Sequence, residues 1–257
     1  MSYDAQYFGD ARTFAHDYGA VAEAIVRAYA PERVLDVGCG PGHLSRELAR
    51  RGCSVVATDG YSSPDFSGTR VLFEHLDLES EQAVRAATSR FTNAFDLAVC
   101  LEVGEHIRED RSDALVALLC SAAPAVVFSA AVPGQPGEGH VNCQPRTWWH
   151  DKFSERGLSL QHRVRPSLMG NARLPPWFRF NVLDYGSAPP GPGADLTRSL
   201  LDAESKVTSA YFGEYELRFG LPEALADAER RLQMPAVKFI LRLQRGVGRL
   251  FSIRSWR

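Results

Sequence analysis

The stretch Val34-Leu35-Asp36-Val37-Gly38-Cys39-Gly40-Pro41-Gly42 decides how the rest of the chain is read. An apolar, β-branched run holds an acid near its end and passes at once into three glycines spaced two apart. Glycine allows a tight bend and lets a ligand approach the backbone with no Cβ in the way. A second acid, Asp59, closes the next apolar run, Val55-Val56-Ala57-Thr58-Asp59. A carboxylate at that place in a strand–helix–strand unit reaches ribose hydroxyls. The dinucleotide fingerprint is GxGxxG, whereas here the spacing is GxGxG with Pro41 in the turn. Asp36 would repel a pyrophosphate and would favour an ammonium or sulfonium. The turn therefore predicts a nucleoside ligand carrying positive charge.

Outward from the turn, short apolar runs alternate with helical patterns. Strands are expected at Arg33–Val37, Ser54–Thr58, Val71–Leu76, Phe95–Leu101 and Ala125–Ala131. Helices are expected at 12–29, Pro41–Arg51, Glu79–Arg90, Asp110–Ala122 and Thr147–Arg156, the last stopped by Gly157. Leu158–Val164 and Phe178–Tyr185 read as two final strands, joined by a proline-bearing loop. Alternation of this kind predicts parallel βαβ units, and continuous apolar strands suit a sheet covered on both faces. Ser187–Ala194, rich in Pro and Gly, marks a boundary. The expected parts are an N-terminal helical lid (1–30), an α/β domain (31–186), and a linker with a helical C-terminal extension (187–257).

The whole chain has 257 residues, 45 % hydrophobic and 23 % charged, with a formal net charge of −2. That is globular composition, and the acidic balance argues against nucleic acid as an obligatory partner. Five cysteines (Cys39, Cys53, Cys100, Cys120, Cys143) form no CxxC pair, so buried thiols in a reducing compartment are expected, with the cytoplasm as location. No apolar h-region opens the chain and no run of 18 apolar residues occurs.

The run Leu35–Gly42 resembles the first motif of class I S-adenosylmethionine-dependent methyltransferases. Asp59 resembles their ribose acid, Asp77 in His75-Leu76-Asp77-Leu78 the acid facing the adenine amine, and Phe95–Glu102 their fourth strand. The resemblance covers residues 30–186. It implies a Rossmann-like fold with a doubly wound, mostly parallel seven-stranded sheet. It further implies S-adenosylmethionine as cofactor, held by Asp36, Gly38, Cys39, Gly40, Gly42, Asp59, Gly60, Asp77, Leu78 and Leu101.

Methyl transfer is an in-line displacement, so the protein mainly aligns the acceptor, and a hydroxyl acceptor gains from a base or a metal. Two segments after the fourth and fifth strands offer both. One is Glu102-Val103-Gly104-Glu105-His106, the other the glycine-rich Pro133–Asn142, which holds His140 and Asn142. Either His140 or His106 is a candidate base, each with the plainer reading of a histidine bonded to backbone, and Asn142 is a candidate to orient the acceptor. Glu102, Glu105 and His106 form an ExxEH group that, with His140, suits a divalent metal. The group resembles that of metal-assisted small-RNA 2′-O-methyltransferases and ubiquinone-pathway O-methyltransferases.

Tyr3, Tyr7, Phe8 and Phe14 precede the first strand and suit either a lid or a packed surface segment. Trp148, Trp149 and Trp177 either flank the site or pack behind it. Residues 236–257 carry no acid. There Lys238, Arg242, Arg245 and Arg249 share one helical face beside Phe239, Leu243, Val247 and Leu250. That segment suits an anionic membrane surface, a partner, or docking on its own domain. Small-molecule O-methylation, of a sugar or secondary metabolite, is the expected activity. A metal-assisted RNA-end or quinone-type enzyme and a non-catalytic cofactor-binding scaffold are the alternatives. Oligomeric state leaves no mark in the sequence.

Overall fold

The computed structural model describes residues 16–187 and 194–215. The expectations for residues 1–15 and for 236–257 lie outside the described residues. Cα packing divides the chain into one unit ending at Ser209 and another beginning at Ala210, and the sheet and cleft described below belong to the first.

Helix α1 (Tyr18–Tyr29) starts where Asp17 accepts the Ala20 amide at 2.9 Å, an N-cap that fills an otherwise orphaned donor. Then follow β1 (Arg33–Val37), α2 (His43–Arg50), β2 (Ser54–Asp59), β3 (Val71–His75), α3 (Glu81–Phe91), β4 (Leu97–Leu101), α4 (Ser112–Ala122) and β5 (Ala125–Ser129). The chain continues through α5 (Arg146–Ser154), β6 (Ser159–Leu160), α6 (Arg165–Met169), α7 (Pro176–Phe180), β7 (Leu183–Gly186) and α8 (Ala194–Tyr215).

The seven strands form one sheet in the order β3-β2-β1-β4-β5-β7-β6. The first five are parallel, β1 meeting β2 from Arg33↔Ser54 to Val37↔Thr58 and β4 from Val34↔Leu97 to Asp36↔Val99. β7 runs antiparallel to both neighbours. The sheet is thus doubly wound and mostly parallel, as expected. Alternate side chains feed two cores, with Leu35, Ala98, Cys100 and Phe128 on one face. Val34, Leu97, Val99 and Val127 fill the other, with Ile25 of α1 and Leu48 of α2. A sheet buried on both faces needs apolar residues throughout, hence the continuous runs in the sequence.

Strand order reverses at β1, whose neighbours lead the chain in opposite directions. The carboxyl ends of β1, β2 and β4 open there into a crevice, the place where such sheets receive ligands.

The last two strands differ from expectation. Pro175 and Pro176 set φ for a helical first turn, so Trp177, Phe178 and Phe180 lie on α7 rather than on a strand. Pairing begins only at Leu183. β6 shrinks to two residues because His162 takes a left-handed φ of 54° and turns the chain away. Arg165–Met169, expected as loop, forms α6.

Candidate functional site

The bend after β1 needs its glycines. Gly38, Gly40 and Gly42 have φ of 76°, 52° and 79°, the left-handed region that glycine occupies without strain. A Cβ at Gly38 would strike Val103, and one at Gly42 would strike the Phe66 ring. The amides of Gly38 and Cys39 donate to Thr58 O at 2.8 and 3.0 Å, which ties the bend to β2.

Asp59 joins this bend to the exit of β2. Its Oδ2 accepts from the Gly40 amide at 2.9 Å, and its Oδ1 from the Tyr61 and Ser62 amides at 2.8 and 2.7 Å. Three of roughly four lone-pair positions are filled. Asp36 is 3 % exposed and accepts from Ser45 Oγ at 2.5 Å. Burial, aided by the charge of Asp59, pushes its carboxyl up to about 6 against the opposing Ser45 bond. A cation nearby would offset that cost. Asp77 Oδ1 accepts from the Glu79 amide at 2.9 Å.

These groups open on a cleft of about 480 Å³. It is bordered by Asp36, Gly38, Cys39, Gly40, Asp59, Gly60, Asp77, Leu78 and Leu101, so the structure brings the sequence-predicted cofactor group together. Gly42 stands behind, at the N-terminus of α2. Seven carboxylates border the cleft (Asp36, Asp59, Asp77, Glu79, Glu102, Glu105, Glu138), and no Lys or Arg does so among the described residues.

The opposite end is built by the residues after β4 and β5. Gly104–His106 form a single 3₁₀ turn. The amides of Val141 and Asn142 both donate to Glu105 O, at 2.9 and 3.0 Å, and so dock the Pro133–Asn142 loop on that turn. His106 Nδ1 lies 3.3 Å from Gly139 O, and His140 Nδ1 3.3 Å from Gln135 O. A carbonyl only accepts, so both imidazoles are assigned the Nδ1–H tautomer, with the lone pair on Nε2. Burial pushes both rings below their usual range, His106 to about 4 with help from His140. Neutral imidazoles whose other nitrogen is held by a carbonyl are the usual form of a metal ligand.

Glu105 is fully buried, and its carboxyl lies against that of Glu102 and the backbone of Ala131. Burial and the neighbouring Glu102 hold its carboxyl well above the usual carboxylate range. Ligand atoms of Glu105, His106 and His140 all lie within 4.8 Å of one another. Glu102 is not in that trio; its Oε2 accepts from Gln135 Nε2 at 2.8 Å. Asn142 takes a different place from the other predicted residues: 2 % exposed, its amide donates to Gly104 O and Ser112 Oγ at 3.1 and 3.0 Å. It staples the loop rather than borders the cleft.

Of the tryptophans, Trp177 borders the cleft. Trp149 packs behind it against Phe128, with ring centroids 4.9 Å apart. Tyr18, stacked on His43 at 5.3 Å, also borders the cleft. Sequence reading named Trp177 but missed Tyr18, and it missed Gln135, Arg146 and Asn181. Gln135 sits within a glycine-rich loop already singled out, whereas nothing local marks Asn181.

The family described as a methyltransferase domain matches residues 11–165 of this chain. Among curated proteins, the ubiquinone biosynthesis O-methyltransferase of Erwinia tasmaniensis is 34 % identical over 83 residues, 32 % of this chain and 34 % of that protein. The protein of the same name from Azotobacter vinelandii is 35 % identical over 85 residues, 32 % of this chain and 37 % of its own. The similarity thus spans about a third of these relatives' length. Among solved structures, magnesium protoporphyrin IX methyltransferase from Synechocystis with bound SAH is 19 % identical with a TM-score of 0.47. That alignment covers 65 % of this chain and 80 % of the other.

Proposed function

The chain belongs to the methyltransferase-domain family, and on that premise we propose that it methylates a hydroxyl of a small molecule, a sugar or secondary metabolite, using S-adenosylmethionine. One observation carries this reading: a single cleft joins the glycine bend and its acids to the Glu105–His106–His140 trio. The donor site fits, since Gly38 and Gly40 of the bend border the cleft and Asp36 is a buried acid that a cation would relieve. Asp59 and Asp77 would hold the ribose and the adenine, with Leu78 beside the ring. When bound, the cofactor supplies an electrophilic methyl carbon on a sulfonium.

The protein's own work is then to exclude water, align the acceptor oxygen and take its proton. His140 or His106 accepts that proton at Nε2. Trp177, Tyr18 and Phe178 give the acceptor an apolar wall.

A divalent ion is the second element of the reading, favoured by the convergence of the buried Glu105 carboxyl with two neutral imidazoles. Glu105, His106 and His140 would hold it, with Glu102 alongside, and it would lower the pKa of the acceptor hydroxyl. This keeps a quinone-type acceptor, the kind the curated relatives' names carry, within the proposal. An RNA end fits less well, because phosphates have no Lys or Arg to meet among the residues bordering the cleft. We place the protein in a reducing compartment, the cytoplasm, in keeping with five unpaired cysteines. No helix among the described residues is long and apolar enough to cross a membrane.

The test is calorimetry with S-adenosylhomocysteine and with NADH, followed by transfer of labelled methyl to hydroxylated acceptors with and without chelator. Binding of NADH alone overturns the donor assignment. Cofactor binding with no turnover on any acceptor favours a scaffold. Turnover indifferent to chelator, in protein free of metal, removes the ion.

A further inference from the structure

Behind the cleft, three side chains close a buried hydrogen-bonded ring. Gln135 Nε2 donates to Glu102 Oε2 at 2.8 Å. Asn181 Nδ2 donates to Gln135 Oε1 at 2.7 Å and, more weakly, to Glu102 Oε1 at 3.4 Å. Asn181 Oδ1 accepts from Arg146 Nη2 at 2.9 Å. A guanidinium only donates, so Arg146 decides which end of the Asn181 amide faces the carboxylate. Gln135, Asn181 and Arg146 are 7 %, 2 % and 3 % exposed.

Apolar side chains would fill this space without desolvating a guanidinium and two amides. What the polar version adds is direction. Glu102 has a left-handed φ of 55°, a strained backbone that persists only where its surroundings over-determine it. Gln135 meets the cleft twice, through its side chain on Glu102 and through its carbonyl beside His140 Nδ1. Asn181 reaches this ring from the turn between α7 and β7, 79 residues away from Glu102 in sequence.

Resting on the reading above, we propose that Gln135 and Asn181, the latter oriented by Arg146, are positioning residues of the reactive centre. They fix the Glu102 carboxylate beside Glu105 and, through Gln135, the His140 imidazole. Glu105, His106 and His140 then converge on one point, whether a divalent ion or the acceptor hydroxyl occupies it.

The test compares the wild-type full chain, saturated with S-adenosylhomocysteine, with Asn181→Asp and Gln135→Met. Asn181→Asp keeps the size and the acceptor for Arg146 but removes the donor to Glu102 and Gln135. Mn²⁺ affinity is read by electron paramagnetic resonance, and the His106 and His140 ring nitrogens by ¹⁵N NMR without metal. The expected result is a 10- to 100-fold loss of Mn²⁺ affinity, as outer-shell partners of metal ligands commonly give. Shifted His140 signals should accompany it, with S-adenosylhomocysteine affinity unchanged. Should Asn181→Asp fail to fold, Gln135→Met alone carries the comparison, since it changes one loop residue. Unchanged Mn²⁺ affinity together with unchanged imidazole signals overturns the proposal. If wild type binds no Mn²⁺, the metal reading falls by itself, and the imidazole signals decide the positioning role. If wild type binds no S-adenosylhomocysteine, the donor reading falls, and the same two measurements on the unliganded chain decide it.

Discussion

The rings of His106 and His140 meet edge to face, with centroids 5.0 Å apart and planes at 71°. They belong to loops after different strands, and only the docking of one loop on the other brings them together. In our reading His140→Ala removes one ligand or base. Methyl transfer should fall by at least about 100-fold, in the range for loss of a general base, while S-adenosylhomocysteine affinity stays within about twofold. Near-wild-type turnover would show that His140 is misassigned. With both rings held below the usual imidazole range by burial, activity should persist below pH 6.5, the point where an ordinary imidazole protonates. A pH–rate profile reads this directly.

Gly137 has no side chain, and a Cβ there would collide with the His140 ring. Gly137→Ala should therefore displace the imidazole and lower turnover and divalent affinity together, leaving donor binding intact. Calorimetry with each ligand separates the two effects.

Asp36 tests the donor end. Its carboxyl is raised from 3.8 to about 6 by burial, so the folded state holds a proton that the unfolded chain has lost between those values. Stability contributed by this group falls as pH rises through that window, and the penalty is complete above pH 6. Asp36→Asn, which still accepts from Ser45, should raise the thermal midpoint at pH 7.5 but not at pH 3.5. It should also weaken S-adenosylmethionine binding more than that of the uncharged-sulfur product. Equal losses for both ligands would remove Asp36 from the recognition of the cation.

Gly42→Ala places a Cβ against Phe66 at a φ of 79°. The left-handed backbone costs an L-residue about 1–2 kcal/mol, and the ring must move as well. Binding of S-adenosylhomocysteine should weaken more than tenfold while circular dichroism keeps its helical signal. Full retention of binding would show that the bend tolerates a side chain.

Asp184, fully buried on β7, holds the far side of the fold. It accepts from Tyr29 Oη at 2.7 Å and from the amides of Arg163 and Val164 at 2.9 and 3.2 Å. Asp184→Ala strands three donors, and at about 1–3 kcal/mol for a buried unpaired group the loss should reach about 3 kcal/mol. A thermal midpoint lower by about 6–12 °C is expected for a chain of this size, read by calorimetry.

How far these features could be read without coordinates depends on how local they are. The glycine bend, its helix and the five parallel strands follow from neighbours in sequence, since apolar periodicity and the freedom of glycine act over a few residues. The ExxEH turn and His140 were legible for the same reason: the ends of parallel strands in such a sheet share one edge. Trp177 and Phe178 misled, because aromatic residues favour strands in general and only the prolines before them start a helix. Asn142 misled as well, since a polar residue beside a histidine does not disclose that its amide is spent on Gly104 and Ser112.

By itself, then, the order of residues determined the sheet, the bend and the acids that face it, because each depends on spacing along the chain. The tertiary structure alone decided that Glu102 belongs to Gln135 and Asn181, and that the buried Glu105 carboxyl meets the His140 imidazole. The bonds of Glu102 to Gln135 and Asn181 join residues 33 and 79 positions apart. No local pattern records them, since hydrogen bonds of that reach form only after packing has removed water and left each buried polar group to find its partner in the protein.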